Sequence, residues 1–141
     1  ADIFAQARSV VPLDLVGMGA AAAGGIGEIA HAELPAFMAR YRFFFNPIRY
    51  TSMGLAVIEA MLCGLPIVAL ATTEMATVIR NDVSGYADTD PAALTQAMHA
   101  LLRDHALARR LGEGARSLAR ERFGIARFVA DWDALLRETV G

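Results

Sequence analysis

Along the first ninety residues, short apolar runs alternate with stretches whose apolar positions recur at three- and four-residue intervals. Switching between these two patterns predicts strands alternating with helices, the layout of parallel βαβ units. Residues 2–10 read as the end of a helix with Ile3, Phe4 and Ala7 on one face, and Pro12 stops it. Residues 13–16 predict a short strand, followed by a loop of small residues over 17–27. Residues 34–41 predict a helix introduced by Glu33, with Pro35 tolerated in its first turn. Residues 42–45 predict a buried strand, and Asn46-Pro47 marks the turn that leaves it.

The next unit has the sharpest punctuation. Thr51 or Ser52 offers a cap for a helix through residues 55–62, and Gly64 sits where a helix commonly ends. Pro66 opens the run Ile67-Val68-Ala69-Leu70, apolar throughout and too short for a helix. Residues 74–80 predict a short helix, and Asn81-Asp82 with Ser84-Gly85 predicts a turn before a strand near Tyr86. Asp90-Pro91 caps a helix over 92–103, and further helices are predicted over 106–122 and 126–138. The last fifty residues thus read as helix, and neither a repeat nor a linker divides the chain.

Composition narrows the class. The 141 residues suit one domain, and 55% hydrophobic content with a mean hydropathy of +0.39 suits a sheet covered on both faces. A net charge of −2 gives no basic field for nucleic acid, although all 13 basic residues are arginine. Cys63 is the sole cysteine, which rules out an intramolecular disulfide and favours a cytoplasmic setting. No run reaches the about 18 apolar residues that span a bilayer, and no signal-peptide pattern opens the chain. The chain starts without Met and with an amphipathic helix already under way, which reads as a fragment of something longer.

In open parallel sheets, ligands sit beyond the carboxyl ends of the strands. The segment from Asn46 through Arg49, Tyr50, Thr51, Ser52 and Met53 to Gly54 and Leu55 follows a predicted strand and opens a helix. Free amides and the positive end of the helix dipole favour a phosphate there, and Gly54 lets a ligand approach the backbone. Glu59 lies among Val57, Ile58, Ala60, Met61 and Leu62, where an unbonded carboxylate is costly. A sugar or ribose diol is one partner for it; solvent or a neighbouring backbone group is the plainer one.

The stretch YTSMGLAVIEAMLCGLPIVA, residues 50–69, resembles the signature of the retaining group 1 glycosyltransferases of GT-B fold. There an acidic residue, a Gly-aromatic-Gly turn, a second Glu seven residues on and Ala-Met-x-x-Gly-x-Pro-Val follow one another. Glu59-Ala60-Met61, Gly64, Pro66 and Val68 match position by position. Val78-Ile79-Arg80-Asn81-Asp82 with Ser84-Gly85-Tyr86 resembles the family's turn and strand, and the stretch from Leu111-Gly112 to Phe123 its closing helices. The resemblance covers residues 13–139 and implies a Rossmann-like α/β domain, the nucleotide-sugar-binding half of a two-domain enzyme. It implies that Glu59 holds the ribose hydroxyls and that the amides near Gly54 and Leu55 face the diphosphate or sugar. The backbone around Ile29 would lie against the base. No metal or other cofactor is implied, and the acceptor would be a glycan or a lipid-linked sugar.

Departures from the family pattern are equally specific. The family's first Glu falls at Thr51 and its next glycine at Ser52. Its Gly-Gly-x-x-Glu falls on Thr73-Glu74-Met75-Ala76-Thr77, which keeps neither glycine and has Thr77 for Glu. The Arg and Lys that neutralise the diphosphate would precede Ala1, as would the first strand and the acceptor-binding N-terminal domain. These departures predict weak nucleotide binding and no turnover by this chain alone, and they leave open a non-catalytic association module built on the same fold. An uncovered edge and apolar face would then favour a homodimer.

The remaining signals are weaker. Gly17-Met18-Gly19-Ala20-Ala21-Ala22 fits a dinucleotide fingerprint, but Gly24, Gly25 and Gly27 oppose the helix it needs. Arg109, Arg116 and Arg120 share a helix face with Glu113 placed to pair with two of them. A solvated face with local ion pairs is the simpler reading; docking at the inner face of a membrane is the functional one. His31, His99 and His105 show no metal-ligand spacing, and His31 has only the claim of following the Gly-rich loop. Cys63 reads as a small core residue. Trp132 with Phe128 and Leu135 reads as core or as a docking face for the missing domain.

Overall fold

Four apolar residues in succession must be covered on both sides, because alternate strand side chains point to opposite faces. The computed structural model, which describes residues 2–50 and 53–140, places this run as β2, Ile67–Leu70, in the middle of a three-stranded parallel sheet. Its neighbours are β1, Phe44–Asn46, and β3, Gly85–Asp88. Phe44 pairs with Ile67, and Ile67 in turn with Gly85.

The described residues include seven α-helices: α1 Ile3–Arg8, α2 Leu34–Met38, α3 Leu55–Leu62, α4 Met75–Val78, α5 Pro91–Arg103, α6 His105–Phe123 and α7 Ile125–Val140. Ile67 and Ala69 enter one core with Val57, Met61, Met75 and Leu118. Val68 and Leu70 enter the other with Ala7, Leu94, Met98 and Leu111. Helices α3 and α4 thus cover one face, α1 and α5 the other, while α6 contributes to both. A fully buried Met61, Met98 or Leu111 contributes about 1.5–3 kcal/mol each by removal from water.

Local chemistry sets the helix ends. Asp90 accepts from the Ala92 amide at 2.9 Å and Asp104 from the Leu107 amide at 3.0 Å, each cap worth about 1 kcal/mol. Gly64 takes the left-handed conformation past the end of α3, with φ +81°. The α6 backbone crosses that turn so closely that a Cβ at Gly112 would fall on the Gly64 carbonyl oxygen.

Several expectations need correction. Residues 13–16 form no sheet strand; Val16 makes one isolated parallel bridge to Gly27, and the Leu15 carbonyl accepts from the Ile26 amide. The segment closes the Gly-rich loop on itself in place of extending the sheet, and the exposed Asp14 carboxylate accepts the Tyr41 hydroxyl at 2.7 Å. The strand expected over 42–45 runs Phe44–Asn46 and is only half-buried until Asn46, because β1 pairs on one side alone. The first helix is not a continuing one: Asp2 caps it by accepting from the Phe4 amide. The helix expected over 34–41 ends at Met38. Among the described residues Glu113 makes no ion pair; Arg116 donates to the Leu62 carbonyl, Arg110 to Asp82 and Arg122 to Thr77.

Candidate functional site

Because the strands run parallel, their carboxyl ends Asn46, Leu70 and Asp88 gather along one edge of the sheet. The loops leaving β1 and β2 are joined there: the Thr72 hydroxyl donates to the Ile48 carbonyl at 3.4 Å. Asn46 is buried and its side-chain oxygen accepts from the Ile48 amide, which bends the chain away from the strand. Thr73 has φ +51°, a left-handed conformation strained for a β-branched side chain. A glycine would relax that position.

Thr51 and Ser52 lie outside the described residues. The N-cap of α3 is Gly54 and not either of them, and a glycine has no side chain to satisfy the first amides of the helix. Among the described residues nothing stands within 4 Å of where a Gly54 Cβ would be. Met53 is half-buried against the first core and anchors this entry. Leu55, Tyr50 and Ile48 are exposed around it, as are Met18 and Ile26 on the Gly-rich loop.

Glu59 follows Leu55 by one turn and so stands on the same side of α3. Its side chain is 34% exposed, between the buried and the solvated readings. Among the described residues the carboxylate's partner is a side chain and not backbone: its Oε1 lies 3.3 Å from Nε2 of His31. His31 opens a short 3₁₀ turn, His31–Glu33, two residues after the half-buried Ile29. The structure therefore brings Ile29, Glu59 and the start of α3 to one region. Sequence reasoning gave His31 little weight, and its place after the Gly-rich loop was the only signal for it.

Around this region the titratable groups are few. Burial pushes the Cys63 thiol up, Arg116 opposing and Glu59 adding to the shift, so it is a poor nucleophile. Among the described residues no group of three or more His, Cys, Asp or Glu side chains comes together to hold a metal ion. A cavity of about 400 Å³ lies at the opposite, amino end of the strands, lined by Arg40, Arg42, Leu65, His105 and Arg109. Its lining contains none of Ile29, His31, Met53, Gly54, Leu55 and Glu59, so it is separate from the candidate site. Trp132, Phe128 and Leu135 are not core: with Ile125, Val129 and Leu136 they form a stripe along α7 that is 51–76% exposed.

A family model described as glycosyl transferases group 1 matches residues 13–104. The D-inositol 3-phosphate glycosyltransferase of Xylanimonas cellulosilytica is 41% identical over 80 residues, 55% of this chain and 19% of that protein. Among solved structures, sucrose-phosphate synthase from Thermosynechococcus elongatus superposes with a TM-score of 0.73 at 28% identity, over 82% of this chain and 30% of its own. Anabaena Alr3699/HepE, solved in complex with UDP, gives a TM-score of 0.72 at 19% identity, over 97% and 44%. The chain spans about a fifth of the length of the D-inositol 3-phosphate glycosyltransferases it matches.

Proposed function

The chain belongs to the group 1 glycosyltransferases, and on that footing we propose that it binds a nucleotide-diphosphate sugar, the donor for retaining transfer to a glycan or lipid-linked acceptor. One observation carries the reading: the half-buried Glu59 carboxylate stands one turn along from a helix start whose N-cap, Gly54, has no side chain and, among the described residues, no neighbour where a Cβ would stand. Amides at Gly54 and Leu55, with the helix dipole, suit the diphosphate. The carboxylate suits the ribose diol, an acceptor for two hydroxyl donors. The backbone near Ile29 suits the base, and Thr51, Ser52 and Met53 would line the approach of the donor sugar. Chemistry of this kind rests on orientation and on stabilising the departing diphosphate, which the α3 amides would share. That the Anabaena structure of like fold was solved with UDP supports a nucleotide ligand.

The test is an NMR titration of the chain with UDP, GDP and ADP. Saturable shifts at residues 29–31 and 53–59 with one of the three are expected. Silence with all three, or shifts confined to the arginine-lined cavity at the other end of the sheet, would refute the assignment.

The exposed stripe on α7 favours a second role, association. In the whole enzyme we assign that stripe to the N-terminal acceptor domain; in this chain alone it would join two copies. Light scattering at high concentration should give a dimer mass, and joint replacement of Phe128, Trp132 and Leu136 by Ser should return a monomer. A monomeric mass before substitution would end this reading. Among the described residues no helix is long and apolar enough to cross a membrane. For a peripheral site at the inner membrane face, the exposed Arg109 and Arg120 are the candidate contacts, since Arg116 is committed to Leu62.

A further inference from the structure

We infer that His31 is the positioning residue for the Glu59 carboxylate, an inference that rests on the donor-site reading. A glutamate side chain has three rotatable bonds, and one on the outer side of a helix samples several rotamers unless something fixes it. Glu59 is fixed from outside its own helix. The contact at 3.3 Å spans 28 residues of sequence and reaches Glu59 from the segment that leads out of the Gly-rich loop. The His31 backbone is in turn anchored, because the 3₁₀ turn runs directly into α2, whose Met38 is buried and whose Leu34 packs on the first core.

The chemistry of the pair has one consistent form. A carboxylate only accepts, so the facing Nε2 must carry the hydrogen and donate. That donation occupies one lone pair of Oε1 and leaves Oε2 and the other Oε1 lone pair to receive hydroxyls. A vicinal diol presents two donors at that spacing, so the imidazole orients the carboxylate without consuming the capacity the ribose needs. The imidazole is itself 87% exposed, which leaves room for a ligand beside it. The same bond ties the Ile29 segment, where the base would lie, to the helix that would hold the ribose and diphosphate. A nucleoside would therefore meet both contacts already in register, and the ordering cost of binding would fall.

The measurement is calorimetric affinity for whichever of UDP, GDP and ADP binds, and for its 2′,3′-dideoxy form, with four variants of the full chain: His31→Ala, His31→Gln, Glu59→Ala and the double variant His31→Ala/Glu59→Ala. We expect His31→Ala to weaken the ribonucleotide about three- to tenfold and the dideoxy form by distinctly less, through the lost register alone. His31→Gln should recover the wild-type value, since the glutamine amide nitrogen can donate from a similar reach. In the Glu59→Ala background, removing His31 should cost nothing more. Equal losses with both nucleotides, failure of His31→Gln to rescue, or a full additional loss in the double variant would each overturn the positioning role. If Glu59→Ala weakens binding and His31→Ala does not, the role of His31 falls and the donor site stands. If Glu59→Ala changes nothing, or wild type binds no nucleotide, the donor-site reading falls and takes this one with it. Circular dichroism melting of each variant keeps loss of fold apart from loss of contact.

Discussion

Replacing Glu59 with Ala is expected to lower affinity for the bound nucleoside diphosphate by about ten- to a hundredfold, the loss of hydrogen bonds to a charged acceptor. The fold should hardly notice. Glu59 is a third exposed, lies outside both cores and, among the described residues, its side chain bonds a solvent-facing imidazole. Changes of that sort usually stay within about ±0.5 kcal/mol of stability. Glu59→Gln should fall between the two, since one amide oxygen still accepts while the amide nitrogen cannot. Calorimetry with each variant measures the affinities and thermal melting measures the stability. A Glu59→Ala protein that binds as well as wild type would remove the carboxylate from the site altogether.

Gly112→Ala should be strongly damaging for so small a substitution on α6. In an open helix position, alanine would stabilise by about 1 kcal/mol, because it has the better helix propensity. Here the added methyl meets the Gly64 carbonyl oxygen, a backbone atom held by the turn between α3 and β2. The helix or the turn has to give way, and overpacking of this kind costs about 1–3 kcal/mol. A fall in melting temperature of roughly 5–10 °C follows for a domain of this size. Glu113→Ala, on the exposed side of the same helix, supplies the comparison and should be nearly neutral. A Gly112→Ala protein that melts above wild type would show that α6 does not press on the Gly64 turn.

Where local patterning and tertiary environment agree, the elements could be read from residues alone. β2 is legible because Pro66 and the apolar run leave no other way to cover four side chains, and α5 because Asp90-Pro91 announces it. The Gly64 turn was legible for the same reason. Residues 13–16 misled because alternation reports a preference for extended backbone and not the existence of a neighbour to pair with. The cap of α3 misled because Thr51 and Ser52 are strong capping types, yet the helix begins after Gly54. In the candidate site, Glu59 could be singled out as a carboxylate among apolar neighbours. Its partner could not, since nothing local ties residue 31 to residue 59. The arginines of α6 were equally opaque, because their acceptors are backbone carbonyls, which carry no signature in sequence.

Helix α6 sends Ala108 and Leu111 into one core and Ala115, Leu118 and Ala119 into the other. Neither face of the sheet can open without pulling on the same rod. Two layers that could have melted one after the other are thereby made a single cooperative unit. The α7 stripe, which enters neither core, lies outside that unit, so covering it with a partner leaves the latch itself unchanged.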